Sequence, residues 1–205
     1  MTSLFADLLW ITFAFLCGSL PLSYWIGRVF LHTDIRQYGD GNPGAANVFA
    51  AGGRWLGGVA ILADGCKGLI PVALANFPGG VEGWALVAVC LAPILGHAYS
   101  PFLRFQGGKA LAVSFGVWTG LTTWQGPVVL GLAFAVWLLV LKVEGWAVVA
   151  GMVTLLAFLL FTAAPWTWLA VWSGNFLIFI LRHKTDLRRR PDLRAGVLGR
   201  FFSNN

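Results

Sequence analysis

Two glycine-rich polar stretches interrupt an otherwise apolar chain and hold most of the residues that could do chemistry. One reads Gly96-His97-Ala98-Tyr99 and then Phe105-Gln106-Gly107-Gly108-Lys109, just ahead of an apolar run. Gly107 and Gly108 followed by Lys109 at a helix start would place free N–H groups and an ammonium where the helix dipole already favours an anion. The other stretch runs from Asp34 to Asn47 and carries Gly39, Gly41 and Gly44 with Asn42 and Asn47. Glycines that reach positive φ let successive N–H groups converge on an anion, and the two asparagines add neutral donors. Taken singly, these pieces read equally as a turn-rich loop, a snorkelling lysine and a histidine that caps a helix. Taken together on one face, they read best as a phosphate site. The Gly-Lys-Ser/Thr ending of a Walker loop is absent.

A third group closes the last apolar run as Arg182-His183-Lys184, followed by Arg188-Arg189-Arg190. The arginine triplet reads as a topology anchor that touches anionic lipid, in preference to nucleic acid. Arg182 and His183, at the end of a helix, can face the bundle instead. Cys17, Cys66 and Cys90 lie far apart in apolar surroundings with no CxxC or Cys/His spacing, so they read as packing residues. No metal and no cofactor is expected.

The elements that hold these groups are membrane helices. The chain is 58% hydrophobic and only 11% charged, against about 25% charged in a soluble domain. So few charges cannot cover so much apolar surface in water. Seven apolar segments are expected: Leu4–Phe30, Leu56–Ala75, Gly83–Leu95, Ala110–Thr123, Pro127–Leu141, Gly145–Phe161 and Trp166–Leu181. Gly83–Leu95 and Ala110–Thr123 are short for a span of about 20 residues, so they extend into polar flanks or one is re-entrant. The first segment lacks a basic region ahead of it and is expected to be retained rather than cleaved.

Arg28, Arg36, Arg54 and Lys67 fall around the first connection or early in the second segment, and the other Lys and Arg fall in the third and fifth connections and the C-terminal tail. Asn76–Glu82, Trp124–Gly126 and Thr162–Pro165 carry none. The positive-inside rule then puts the N-terminus outside and the C-terminus in the cytoplasm. The fold class is an all-α, polytopic integral membrane bundle of about seven short helices. It forms one membrane domain over residues 1–205, with a basic cytoplasmic tail over 183–205. Trp84, Trp124, Trp166 and Trp168 mark the outer interface, and Trp55 and Trp146 the inner one.

These pieces together resemble the bacterial membrane glycerol-3-phosphate acyltransferases that use acyl phosphate (PlsY). The likeness runs through Gly18-Ser19-Leu20-Pro21, Asp34-Ile35-Arg36, and Gly41-Asn42-Pro43-Gly44-Ala45-Ala46-Asn47-Val48. It continues with Asp64 and Lys67-Gly68, Gly96 to Tyr99 with Phe105 to Lys109, and Arg182-His183. The chain departs from the family's usual residues at Asp40 (Ser), Ala46 (Thr), Ala50 (Arg), Gln106 (Lys), Ala110 (Gly), Glu144 (in a Ser-Leu motif) and Asp186 (Asn). Either Arg36, Arg54 or Arg104 replaces the missing cations, or the chain is a paralogue with altered or lost activity.

The resemblance implies transfer of an acyl chain from acyl phosphate to the 1-hydroxyl of glycerol 3-phosphate, giving lysophosphatidic acid. It implies a multi-pass protein of the bacterial inner membrane with its active site facing the cytoplasm. Expected partners are acyl phosphate, glycerol 3-phosphate and membrane lipids, and no nucleic acid. His97, Lys109 and His183 are the expected catalytic residues. Gly41, Asn42, Gly44, Asn47, Gly107, Gly108 and Arg182 are the expected substrate-binding residues. Phe102 stands where a His-x4-Asp acyltransferase would carry its acid, so that mechanism does not apply. The competing readings are a non-catalytic subunit, an altered-substrate paralogue and a small phosphate or anion transporter.

Overall fold

In lipid a backbone polar group finds no water, so apolar runs must close their hydrogen bonds within helices. The computed structural model describes residues 3–194. Its helices are α1 (Leu4–Ser19), α2 (Leu22–Phe30), α3 (Ala45–Ala50), α4 (Arg54–Asn76), α5 (Gly83–Ala98), α6 (Leu111–Thr122), α7 (Gln125–Val140), α8 (Glu144–Phe161), α9 (Trp166–Arg182) and α10 (Lys184–Leu187). The last part of the expected basic tail, with Arg200, lies outside the described residues. Seven of the helices have twelve or more residues, and they correspond one for one to the seven apolar segments. By length and composition, Leu4–Phe30, Arg54–Asn76, Gly83–Leu103 and Glu144–Phe161 can each cross a membrane, while α6 and α7 are shorter apolar helices.

The first segment is not one continuous helix. It breaks between Ser19 and Leu22, because Pro21 has no N–H to give to the preceding turn. The carbonyls freed there are taken up by side chains from elsewhere: Ser100 Oγ donates to Ser19 at 2.6 Å, and Lys67 Nζ donates to Leu20 at 2.7 Å. This satisfies irregular backbone inside protein, as the membrane requires. α5 resolves its shortness by running past Leu95 to Ala98. α6 stays short, about 18 Å at 1.5 Å per residue, and a non-helical stretch leads into it.

The most extensive packing joins α4 to α6, α1 to α5, and α7 to α8. Where α4 crosses α6 the approach is backbone to backbone: a Cβ on Gly116 would run into the carbonyl oxygen of Gly65. Small residues permit this contact, which drives helix association where hydrophobic burial cannot. α6 and α9 are pinned by a buried relay: Trp118 Nε1 donates to Asn175 Oδ1 at 3.1 Å, and Asn175 Nδ2 donates to Ser114 Oγ at 3.0 Å.

Trp84 and Trp166, at the starts of α5 and α9, bring their rings within 4.8 Å. The second and sixth connections therefore lie at one end of the bundle. The first, third and fifth connections and α10 meet at the other, around Lys109. The chain after α10 folds back on the fifth connection: the Lys142 N–H donates to the Asp192 carbonyl at 2.8 Å, and Lys142 Nζ pairs with the Asp192 carboxylate.

Candidate active site

The stretch between α5 and α6 is held from three sides. The Gly108 N–H donates back to the His97 carbonyl at 3.1 Å, so it is not free for an anion. The Arg182 guanidinium, from the end of α9, donates to the Gly107 carbonyl at 2.5 Å and the Gly108 carbonyl at 3.0 Å. Its planar head also lies over the Tyr99 ring, 5.4 Å from the centroid. Gly107 must be glycine, because a Cβ there would run into the His97 carbonyl oxygen, and a Cβ on Gly108 would press on the His97 ring. Ala110, which caps α6, sits at φ 65°. This left-handed conformation turns the chain into α6 directly after Lys109.

The first connection is shaped by its own charges. Asp34 caps a 3-10 turn (Ile35–Gln37) and pairs with Arg36 at 2.7 Å and Arg28 at 3.0 Å. The hydrogen bond from Arg36 holds the Asp34 carboxyl down at about 2. Arg36 also stacks over Tyr24 at 4.8 Å. It is thereby tied into the loop and is not among the residues lining the cavity described below.

An anion does sit on the two asparagines expected as donors in this loop, and it belongs to the chain, while the Gly41 N–H donates to the Tyr38 carbonyl at 3.1 Å. Asp40 Oδ1 accepts from the Asn42 N–H at 3.1 Å and from Asn47 Nδ2 at 3.1 Å, while Oδ2 accepts from Asn42 Nδ2 at 2.6 Å. Burial alone would raise the Asp40 pKa, but the Asn42 bonds and Lys109 outweigh it and lower the net value.

Lys109 is the centre of the site. Its Nζ lies 2.8 Å from Glu144, 3.0 Å from Asp186 and 3.1 Å from Asp40. The lysine side chain is 15% exposed and the three carboxylates are 22–42% exposed. Burial would lower the ammonium's pKa, but Glu144, Asp186 and Asp40 together hold it well above the usual lysine value. Asp186 also faces His183 Nδ1 at 3.3 Å. Burial, then the Lys109 charge, pushes His183 below its ordinary value, which keeps the ring neutral near pH 7.

A cavity of about 340 Å³ opens beside Lys109 between α3, α4 and α6. Asn42, Gly44, Asn47, His97 and Lys109 line it, together with Asp40, Asp64 and Glu144. Phe49, Ile61, Leu111 and Phe115 are among its apolar walls. The structure thus brings five of the ten expected residues to one cavity. Gly41, Gly107, Gly108, Arg182 and His183 are not among its lining residues. Arg182 reaches the site through the glycine carbonyls, and His183 through Asp186. Nδ1 of His97 and Nε2 of His183 are both buried with no hydrogen-bond partner.

Sequence reasoning missed the carboxylates as site residues. Asp40, Glu144 and Asp186 stand out in the sequence as departures from the family's usual residues, Asp40 as a negative charge next to where phosphate would sit, but their convergence on Lys109 is not visible there. It also missed the ion pair of Asp64 with Lys67, 2.9 Å apart and 2% and 4% exposed, where Ser23 Oγ adds a 2.6 Å bond to the carboxylate. Ionisable residues three apart inside an apolar run were the available signal. Among the described residues no group of His, Cys, Asp and Glu is arranged to hold a metal ion.

A family profile described as "Glycerol-3-phosphate acyltransferase" matches residues 8–191. The chain is 36% identical to glycerol-3-phosphate acyltransferase 1 of Thermotoga maritima over 87% of its own length and 95% of that relative. It is 37% identical to the glycerol-3-phosphate acyltransferase of Pseudomonas syringae pv. tomato over 90% of this chain and 93% of that one. The fold is similar to crystal structures of PlsY (YgiH), an integral membrane glycerol 3-phosphate acyltransferase. The glycerol 3-phosphate form gives a TM-score of 0.81 at 28% identity, covering 96% of this chain and 98% of that one. The lysophosphatidic acid form gives 0.79 at 28% identity, covering 89% and 90%.

Proposed function

The chain belongs to the glycerol-3-phosphate acyltransferase family, and we propose from that premise that it moves an acyl chain from acyl phosphate to the 1-hydroxyl of glycerol 3-phosphate. The products are lysophosphatidic acid and inorganic phosphate. The observation that carries this reading is the cavity itself: an ammonium and amide groups share its lining with apolar side chains from between the helices. That shape suits substrates that join a phosphate head to a long chain.

The hydroxyl oxygen attacks the acyl carbon, the bond from acyl carbon to phosphate oxygen breaks, and the hydroxyl proton ends on the departing phosphate. The mixed anhydride is already activated, so no covalent enzyme nucleophile is needed. Lys109 binds phosphate and offsets negative charge developing at the acyl centre. Asn42 and Asn47 supply neutral donors. Gly41, Gly44, Gly107 and Gly108 shape the two binding loops, and Arg182 holds the second of them against the substrate. The proton passes through His97, His183 or the phosphate itself. His97 carries an unpartnered nitrogen and lines the cavity. His183 is neutral near pH 7.

The protein sits in the bacterial inner membrane with this site on the cytoplasmic side. Supporting that orientation, Asn76–Glu82, Trp124–Gly126 and Thr162–Pro165 carry no Lys or Arg, and thirteen of the fourteen stand at or near the other connections and the tail, Lys67 lying inside α4. Membrane lipids are its surroundings, and nucleic acid is not a partner. The deciding experiment presents purified protein and glycerol 3-phosphate with acyl phosphate, acyl-CoA and acyl-carrier donors in turn. Turnover is expected with acyl phosphate alone. Robust turnover with acyl-CoA alone sinks the donor assignment. Silence with every donor favours a non-catalytic paralogue, and phosphate flux into liposomes would favour a transporter.

A further inference from the structure

Among the described residues Lys109 is the one ammonium lining the cavity, and it already has three anionic partners. They come from separate elements: Asp40 from the first connection, Glu144 from the start of α8, and Asp186 from α10. One of them, Asp40, occupies the nest of N–H and amide donors in which a phosphate would sit. We infer that phosphate reaches Lys109 only by displacing the Asp40 carboxylate, and that Asp40, Glu144 and Asp186 take up protons as it does so. The inference rests on the phosphate-site reading above and names three residues that set the charge state the site accepts.

The electrostatics are simple. Three carboxylates face one ammonium, so the free site carries excess negative charge. A dianion that enters loses the benefit of Lys109 to the carboxylates or repels them across a few ångströms. The remaining groups do not offset this. The Arg182 guanidinium is committed to the Gly107 and Gly108 carbonyls. His183 faces Asp186 as a neutral ring. Asn42 and Asn47, from the first connection and α3, are uncharged donors. On the α4 side, Asp64 is balanced by Lys67. His97 on α5 brings a nitrogen without a partner. Protons are the species that can relieve the repulsion. A protonated carboxyl becomes a neutral hydrogen-bond donor to a phosphate oxygen. The three carboxylates are partly exposed, so they exchange protons with solvent.

Proton uptake makes affinity depend on pH, with about a tenfold loss per pH unit for each proton bound. The test is calorimetric titration of the full chain in lipid nanodiscs with inorganic phosphate, from about pH 6 to about pH 8, in two buffers of different ionisation enthalpy. The same titration follows Asp40→Asn, Glu144→Gln, Asp186→Asn and the triple variant. The ligand's own titration is common to all of these proteins, so the difference between them isolates the carboxylates. Wild type is expected to take up at least one proton more than the triple variant and to weaken at least tenfold more across the range. Asp40→Asn alone is expected to tighten binding at the alkaline end and to remove part of the uptake, which preserves the test if the triple variant does not fold. Equal proton uptake and equal pH slopes in wild type and Asp40→Asn would overturn the inference while leaving the phosphate site standing. Absence of phosphate binding in every protein at every pH would overturn the phosphate-site reading itself, and the inference with it.

Discussion

Lys67 donates a hydrogen bond to the main-chain carbonyl of Leu20 across 2.7 Å, which ties the middle of α4 to the break between α1 and α2. The same ammonium lies 2.9 Å from Asp64. One buried cation thus serves both a carbonyl and a carboxylate whose other partner is the uncharged Ser23 hydroxyl.

Removing that cation is therefore costly. Lys67→Met leaves the Asp64 charge buried and unpaired, a loss on the order of 3–5 kcal/mol. Thermal unfolding in detergent is expected to shift sharply downward. Adding Asp64→Asn to it is expected to cost less than the sum of the single changes, because the two residues share one interaction. An unchanged transition in Lys67→Met would mean that the pair carries no stability.

Lys109 is expected to matter for rate more than for folding. A charge-assisted hydrogen bond of its kind contributes roughly 1.5–3 kcal/mol, about tenfold to a hundredfold in rate if it acts in the transition state. Lys109→Met should cut acyl transfer by at least that range in a protein that still inserts and unfolds cooperatively. Lys109→Arg should recover only part, since a planar fork does not replace a point charge. Full activity in Lys109→Met would reduce the residue to an interface anchor.

Ala110 carries backbone strain that a single atom group explains. At φ 65° its Cβ costs about 1–2 kcal/mol relative to a glycine free of that clash. Ala110→Gly is expected to raise the unfolding temperature by an amount that corresponds to about 1 kcal/mol, read by scanning in the same detergent. A lower transition would show that the methyl group's packing against the core outweighs the strain.

The sidedness of the membrane helices is open to direct measurement. A reporter fused after Asn205 is expected in the cytoplasm, and one placed near Glu82 on the opposite side. The basis is the absence of Lys and Arg from the second, fourth and sixth connections. Both reporters on one side would exclude the seven-span arrangement.

Much of the architecture was legible in the residues alone. Membrane helices announce themselves because lipid offers no partner to a charge or an open carbonyl, so apolar runs and their polar interruptions are local signals. The two glycine-rich loops and the Arg182-His183 exit were visible on the same terms. The break at Pro21 was not: the first apolar run reads as one segment, Leu4–Phe30, and its broken geometry is held by Lys67 and Ser100 arriving from distant parts of the chain.

Tertiary structure alone decided what Lys109 touches. Glu144 and Asp186 stand 35 and 77 residues from it in sequence, and no periodicity connects them. Their meeting follows from how α8, α9 and α10 pack against the loop before α6, and from the contacts of small residues that set those helices' spacing. For the same reason the first loop's donors and the Asp40 charge beside them could be read from sequence, while Asp40's occupation of those donors could not. Residue type reports the capacity to bind charge, but only the fold determines that Asp40 reaches those donors and Lys109 at once.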